Sequence, residues 1–270
     1  MSDSSHKISL AGILITSGIV FGDIGTSPLY VFQAITGGGT RIAPDFILGG
    51  LSCVIWTLIL LATVKYVFFA LNADNKGEGG IFALFALLKN KKTSWVIILA
   101  LIGCATLMAD GFITPAISIS SAVEGLNIYF PDTPVIPIVI GIDVVLFSIQ
   151  QFGTVLIGEF FGPIMLIWFS MLAVLGLSEI VTHPQVFNAI NPKYAIELLT
   201  EYPGGFWLLG AVFLCTTGAE ALYSDLGHCG RENIRISWIF VKVSLILNYM
   251  GQAAWIMDHG SIEGVNPFYA

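Results

Sequence analysis

Apolar residues fill seven long blocks of the chain, separated by short polar segments. A helix that crosses a bilayer needs roughly 20 mostly apolar residues. The blocks are Ile8–Ala34, Phe46–Leu71, Trp95–Leu126, Val135–Gln151, Val155–Leu177, Gly205–Leu226 and Ile236–Met257. They predict an all-α, polytopic membrane protein with about seven transmembrane helices. The third block is longer than a perpendicular crossing requires, which predicts a tilted helix or ends that leave the bilayer.

Two shorter elements lie between the blocks. A turn at Gly77-Glu78-Gly79-Gly80 leads into Ile81–Leu88, which is too short to span and reads as an interfacial or re-entrant helix. The loop Glu179–Gly204 contains Asn191-Pro192 and then Lys193–Tyr202, expected to form a short helix on the outer membrane surface.

Composition sharpens this picture. Of 270 residues, 56% are apolar and 11% are Asp, Glu, Lys or Arg, against about 25% charged in soluble domains. A mean hydropathy of +0.85 excludes a disordered chain, a nucleic-acid-binding domain and a secreted disulfide scaffold. Cys53, Cys104, Cys215 and Cys229 form no CxxC or Cys/His cluster, so neither zinc nor redox chemistry is indicated. No cofactor is expected.

Basic residues set the expected orientation. With the N-terminus inside, Lys7, Lys76, Lys89, Lys91, Lys92, Arg231 and Arg235 are cytoplasmic, while only Arg41 and Lys193 fall outside. Lys65 and Lys242 sit near cytoplasmic helix ends and are expected to snorkel. The closing segment Asp258–Ala270 holds two acids and no base, as an external tail would.

Acids inside apolar blocks cost about 2.5–3.5 kcal/mol each on insertion scales. Asp23, Asp110, Glu124, Asp143, Glu159 and Glu220 are the candidates. Asp23 sits in Gly22-Asp23-Ile24-Gly25-Thr26-Ser27-Pro28. Pro28 removes one helix hydrogen bond and crowds the carbonyl of Ile24, and Gly22 and Gly25 weaken the helix further. The first block should therefore break, freeing carbonyls beside a carboxylate to form a cation site. Tyr30 returns to roughly the same face if the helix resumes.

In the third block, Asp110, Thr114 and Ser118 recur every four residues around Pro115 and share one face. They could line an ion path, or the hydroxyls could simply bond their own backbone. Glu124 lies near the external end of that block. In the sixth block Gly218 weakens the helix beside Glu220, and Thr217 is expected to share a face with it. A membrane-embedded Glu there could gain and lose a proton. Asp143 and Glu159 read as structural acids.

Several of these segments together resemble one family. Gly18-Ile19-Val20-Phe21-Gly22-Asp23-Ile24-Gly25-Thr26-Ser27-Pro28-Leu29-Tyr30 is similar to the opening signature of Kup/HAK/KT potassium transporters. Gly77–Leu84, Asp110–Ser118, Gly218–Tyr223 and Asn248–Gln252 match the same family in order. The resemblance implies the amino acid–polyamine–organocation (LeuT-like) fold. Residues 8–177 would then form the first inverted five-helix repeat, and 205–257 the first two helices of the second. It implies potassium uptake across the cytoplasmic membrane by proton symport. Asp23, Tyr30, Thr114, Ser118 and Thr217 would bind potassium, Glu220 would carry the proton, and Glu124 would be a further functional acid. Partners implied are potassium, protons and the lipid bilayer; a homo-oligomer is left open.

Three departures accompany the resemblance. Such transporters usually have about twelve spans, so the chain reads as an N-terminal portion. A basic residue is often found where Gln151 stands, and another where Glu159 stands. The tail is too short for a regulatory domain. Three rivals remain: a proton- or sodium-coupled amino-acid carrier on the same fold, a truncated chain that transports nothing, and an intramembrane aspartyl protease. Asp23 would oppose an anionic substrate in the first. The last would need Gly where Val20 stands.

Overall fold

The computed structural model describes residues 8–37, 43–88, 94–150, 154–260 and 265–270. Lys7, Arg41, Lys89, Lys91, Lys92 and Gln151 lie outside these residues, as does the Glu159 side chain. Among the described residues the structure is all-helical, apart from one isolated bridge between Asn75 and Glu78.

Each apolar block is helical. The first is divided into α1 (Leu10–Val20), a 3-10 turn (Ile24–Leu29) and α2 (Val31–Thr36). The second is α3 (Pro44–Thr57), which continues as a π-helix over Leu58–Phe69. Next come α4 (Ile81–Leu88), α5 (Ser94–Glu124), α6 (Val135–Gln150), α7 (Thr154–Thr182) and α8 (Lys193–Glu201). The sixth block is divided into α9 (Gly205–Phe213), a 3-10 turn (Leu214–Thr216), α10 (Ala221–Ser224) and α11 (Leu226–Cys229). The last helix is α12 (Arg231–His259).

Among the described residues four helices are long and apolar enough to cross a membrane: Pro44–Asn72, Trp95–Ile128, Phe160–Thr182 and Arg231–His259. Leu10–Val20, Val135–Ile149 and Gly205–Thr216 are apolar helices of shorter length. The architecture is that of a multi-pass membrane protein.

The chain divides into two compact units. The first comprises Met1–Asp23, Val64–Ile164 and Gly218–Trp238. Here Ser9 caps α1 by accepting from the Gly12 amide at 2.9 Å. Phe21 stacks on Trp238 with ring centroids 6.0 Å apart, and the Ser237 hydroxyl donates to the Ile13 carbonyl at 3.2 Å. Gly162 lets its helix approach α1 so closely that a Cβ would meet the Leu14 carbonyl at 2.5 Å. α5 packs on α6 and α4, yet only 6% of its most apolar window is buried. Leu101, Phe112, Ile136 and Val144 are exposed, as expected of side chains that hydrocarbon would cover.

The second unit comprises Ile24–Thr63, Met165–Thr217 and Ile239–Ala270. α8 lies against α3, where Gly49 faces Leu198. The Ser52 hydroxyl and the Trp56 indole each donate at 3.1 Å, to the carbonyls of Asn191 and Ile190. Gly176 of α7 and Gly251 of α12 allow backbone-to-backbone contact; a Cβ on Gly251 would sit 2.5 Å from the Gly176 Cα. Small residues at crossings are how helices approach closely in lipid. Phe32, Phe169 and Tyr249 fill the core.

Candidate functional site: an acid cluster at two helix interruptions

Three acids from distant parts of the sequence converge in the first unit. Asp23 follows the end of α1, which stops at Val20, with Phe21 leaving helical geometry at φ −107°, ψ 7°. Asp110 lies in the middle of α5. Glu220 precedes α10, just after Thr217 turns extended (ψ 132°) and Gly218 adopts φ +82°. One carboxylate oxygen from each lies within 4.8 Å of the other two, and all three residues are half-buried.

Three ionised carboxylates at this spacing repel strongly. At 4.8 Å and an effective dielectric constant of about 20, each pair costs about 3.5 kcal/mol. A bound cation or a proton relieves that cost.

The Thr114 hydroxyl donates to Asp110 Oδ1 at 2.9 Å. The shared face read from the four-residue spacing is real, and Thr114 spends its proton on the carboxylate instead of on its own helix backbone. Ser118, one turn further, is buried. Asp110 and Glu220 also line a cavity of about 590 Å³ with Lys65, Tyr66, Thr106 and Tyr223. Such a volume admits water to two of the three acids.

Of the remaining expected site residues, Tyr30 and Thr217 belong to the second unit. The helical face expected to join Thr217 to Glu220 does not exist, because the chain is extended at Thr217 and left-handed at Gly218. Glu124 is exposed at the end of α5. It lies fourteen residues beyond Asp110, about 21 Å along the helix, so it is not part of the cluster. Asp143 has its Oδ1 buried without a hydrogen-bond partner among the described residues.

Side-chain donors reach several carbonyls of the turn that follows Asp23. In the second unit, the Trp168 indole donates to the Gly25 carbonyl at 2.9 Å, and Gln252 Nε2 to the Pro28 carbonyl at 3.1 Å. Asn266 Nδ2 donates to the Leu29 carbonyl at 2.7 Å. Three carbonyls of the first interruption, those of Gly25, Pro28 and Leu29, are thus each engaged by a side-chain donor. The ligand set inferred from the resemblance left out Asp110. The signal was its place at the head of the Asp110, Thr114, Ser118 row.

Apolar helices, two of them interrupted beside half-buried acids, define a multi-pass membrane protein with a candidate cation site. Comparison with known proteins makes the class specific. Residues 10–270 match the family described as the K+ potassium transporter integral membrane domain, and the chain belongs to that family, one of transporters and not of enzymes. It is 58% identical to the "Probable potassium transport system protein Kup" of Flavobacterium psychrophilum, over 100% of this chain and 43% of the relative. Identity to the protein of the same name from Cytophaga hutchinsonii is 61%, over 98% of this chain and 41% of the relative. For one from Streptococcus pyogenes it is 53%, over 100% and 43%. The chain therefore spans less than half the length of these relatives. No solved structure matches.

Proposed function

We propose that the chain forms the substrate-binding part of a proton-coupled potassium transporter of the cytoplasmic membrane. The carrying observation is the convergence of Asp23, Asp110 and Glu220 within 4.8 Å. Family membership supplies the ion, since the matched domain and the relatives are named for potassium. The fold is the LeuT-like one, with residues 8–177 as the first repeat and 205–257 as the start of the second. Its N-terminus is cytoplasmic. The interruption of the first and sixth apolar blocks supports that fold, which needs both helices broken.

Potassium sheds water against Asp23 and Asp110, with Thr114 and Ser118 as further oxygen ligands. Glu220 carries the proton. Asp110 is added to the ligand set because its carboxylate sits in the cluster. Glu220 is the proton carrier because its carboxylate lies within 4.8 Å of those of Asp23 and Asp110, and a proton on one acid relieves the repulsion among the three. Glu124, outside the cluster, acts on the path and not on the bound ion. Entry of each charge gains about 2.3 kcal/mol per 100 mV of membrane potential. Three acids disfavour the amino-acid-carrier alternative, whose substrate carries a carboxylate.

The test is rubidium uptake by this chain in proteoliposomes with a pH dye inside. The reading expects uptake with acidification, loss of both in Asp23→Asn, and loss of acidification in Glu220→Gln. Unchanged acidification in Glu220→Gln would remove Glu220 from the proton step.

A further inference from the structure

Two of the family-like segments carry no role in the ion site: the glycine-rich turn Gly77–Gly80 and the residues that follow Glu220. In the first unit they meet. Lys76 (φ +56°) and Gly77 (φ +87°) form a two-residue turn, closed by Asn75 N–H to Glu78 O at 2.9 Å and Glu78 N–H to Asn75 O at 3.1 Å. Asp74 uses both carboxylate oxygens. Its Oδ2 accepts from the Gly77 amide at 2.9 Å, and its Oδ1 accepts from Arg231 Nη2 at 2.8 Å.

The same turn grips α10. The Tyr223 hydroxyl donates to the Ala73 carbonyl at 2.6 Å. Gly79 lies so close under the Tyr223 carbonyl that any Cβ there would collide with it. A Cβ on Gly227 would likewise collide with the Glu78 carboxylate. Arg235 Nη2 adds a bond to Asn72 Oδ1 at 3.1 Å. The loop therefore touches α10, the glycine after it and the first turn of α12. α10 is only four residues long, too short to hold a position by its own hydrogen bonds. Glu220 stands directly before it, two residues after the left-handed Gly218. The Glu220 carbonyl accepts from the amides of Tyr223 and Ser224 at 3.0 Å each, so Glu220 is tied to this short helix and moves with it, and the external grip holds the helix.

We propose that the Asn72–Gly80 loop is a clasp that positions Glu220 against Asp23 and Asp110, with Tyr223, Asp74 and Arg231 as positioning residues. This rests on the reading of the acid cluster as the ion site. It gives the two glycines a function: Gly77 permits the turn, and Gly79 permits the contact with Tyr223.

The test uses Tyr223→Phe, which deletes one hydroxyl, and Asp74→Asn, which keeps an acceptor for Gly77 but weakens the hold on Arg231. The purified chain in lipid nanodiscs is measured for equilibrium rubidium binding, amide hydrogen exchange and melting temperature. Each variant is expected to bind rubidium about three- to tenfold more weakly. Exchange should quicken at Ala221–Ser224 and stay unchanged elsewhere, at an unaltered melting temperature. Wild-type affinity in both variants overturns the proposal, whatever the exchange does. So does weaker binding accompanied by faster exchange throughout and a lower melting temperature, which marks a merely structural brace. Absence of rubidium binding by the wild type would defeat the ion-site reading instead. The clasp is then judged by exchange alone, and unchanged exchange at Ala221–Ser224 overturns it.

Discussion

The two interrupted blocks reach a similar result by different means. After Asp23 the chain tightens into a 3-10 turn over Ile24–Leu29 containing Pro28. Three side-chain donors, from Trp168, Gln252 and Asn266, take up its carbonyls. Before Glu220 the chain opens instead, through an extended Thr217 and a left-handed Gly218. Its far side is held by the Asn72–Gly80 loop through Tyr223. The first interruption is fixed by satisfying backbone polar groups, which lipid makes obligatory. The second is fixed by a tertiary grip on a helix only four residues long. An acid beside the first should be rigidly placed, whereas an acid beside the second should respond to changes in a distant loop.

Glycine and donor substitutions separate the two mechanisms, with thermal unfolding in detergent as the readout. Gly79→Ala is expected to have the largest effect, about 3 kcal/mol of destabilisation. Its Cβ would meet the Tyr223 carbonyl, which is backbone and cannot rotate away. Gln252→Ala should cost about 2 kcal/mol, because it leaves the buried Pro28 carbonyl without its donor. Gly218→Ala should cost about 1–2 kcal/mol for placing a Cβ at φ +82°. Gly22→Ala should be neutral or slightly stabilising. A Cβ there meets only the Gly18 carbonyl at 3.8 Å, and alanine restricts the unfolded chain. A neutral Gly218→Ala would mean that the second interruption does not depend on left-handed backbone, and the contrast would fail.

Much of the helix map was legible because hydropathy reports burial in hydrocarbon directly. The block Val135–Gln151 ends within a residue of α6 (Val135–Gln150). The block Ile236–Met257 misses the first turn of α12, which starts at Arg231. That turn is polar because Arg231 and Arg235 bond Asp74 and Asn72, partners more than 150 residues away in sequence. The break near Asp23 was readable from Pro28 and its glycines, which act locally. Glycine alone did not mark where each break falls: Gly22 has room for a side chain, and Gly25 is confined by Met165 and Phe169. The row of Asp110, Thr114 and Ser118 could be read from spacing, and the Thr114–Asp110 bond follows from it. That Asp110 meets Asp23 and Glu220 could not be read, since long-range convergence leaves no periodic trace. The supposed common face of Thr217 and Glu220 failed because helical spacing was applied across a segment that is not helical.

In the proposed site Asp23 and Asp110 hold one cation, with Glu220 beside them as the proton carrier. Equilibrium binding of rubidium to the purified chain, wild type against Asp110→Asn, tests it most directly. Removing one charge from ligands grouped within 4.8 Å should weaken binding at least tenfold while leaving the melting temperature intact. An Asp110→Asn protein that binds rubidium as tightly as the wild type would contradict the account.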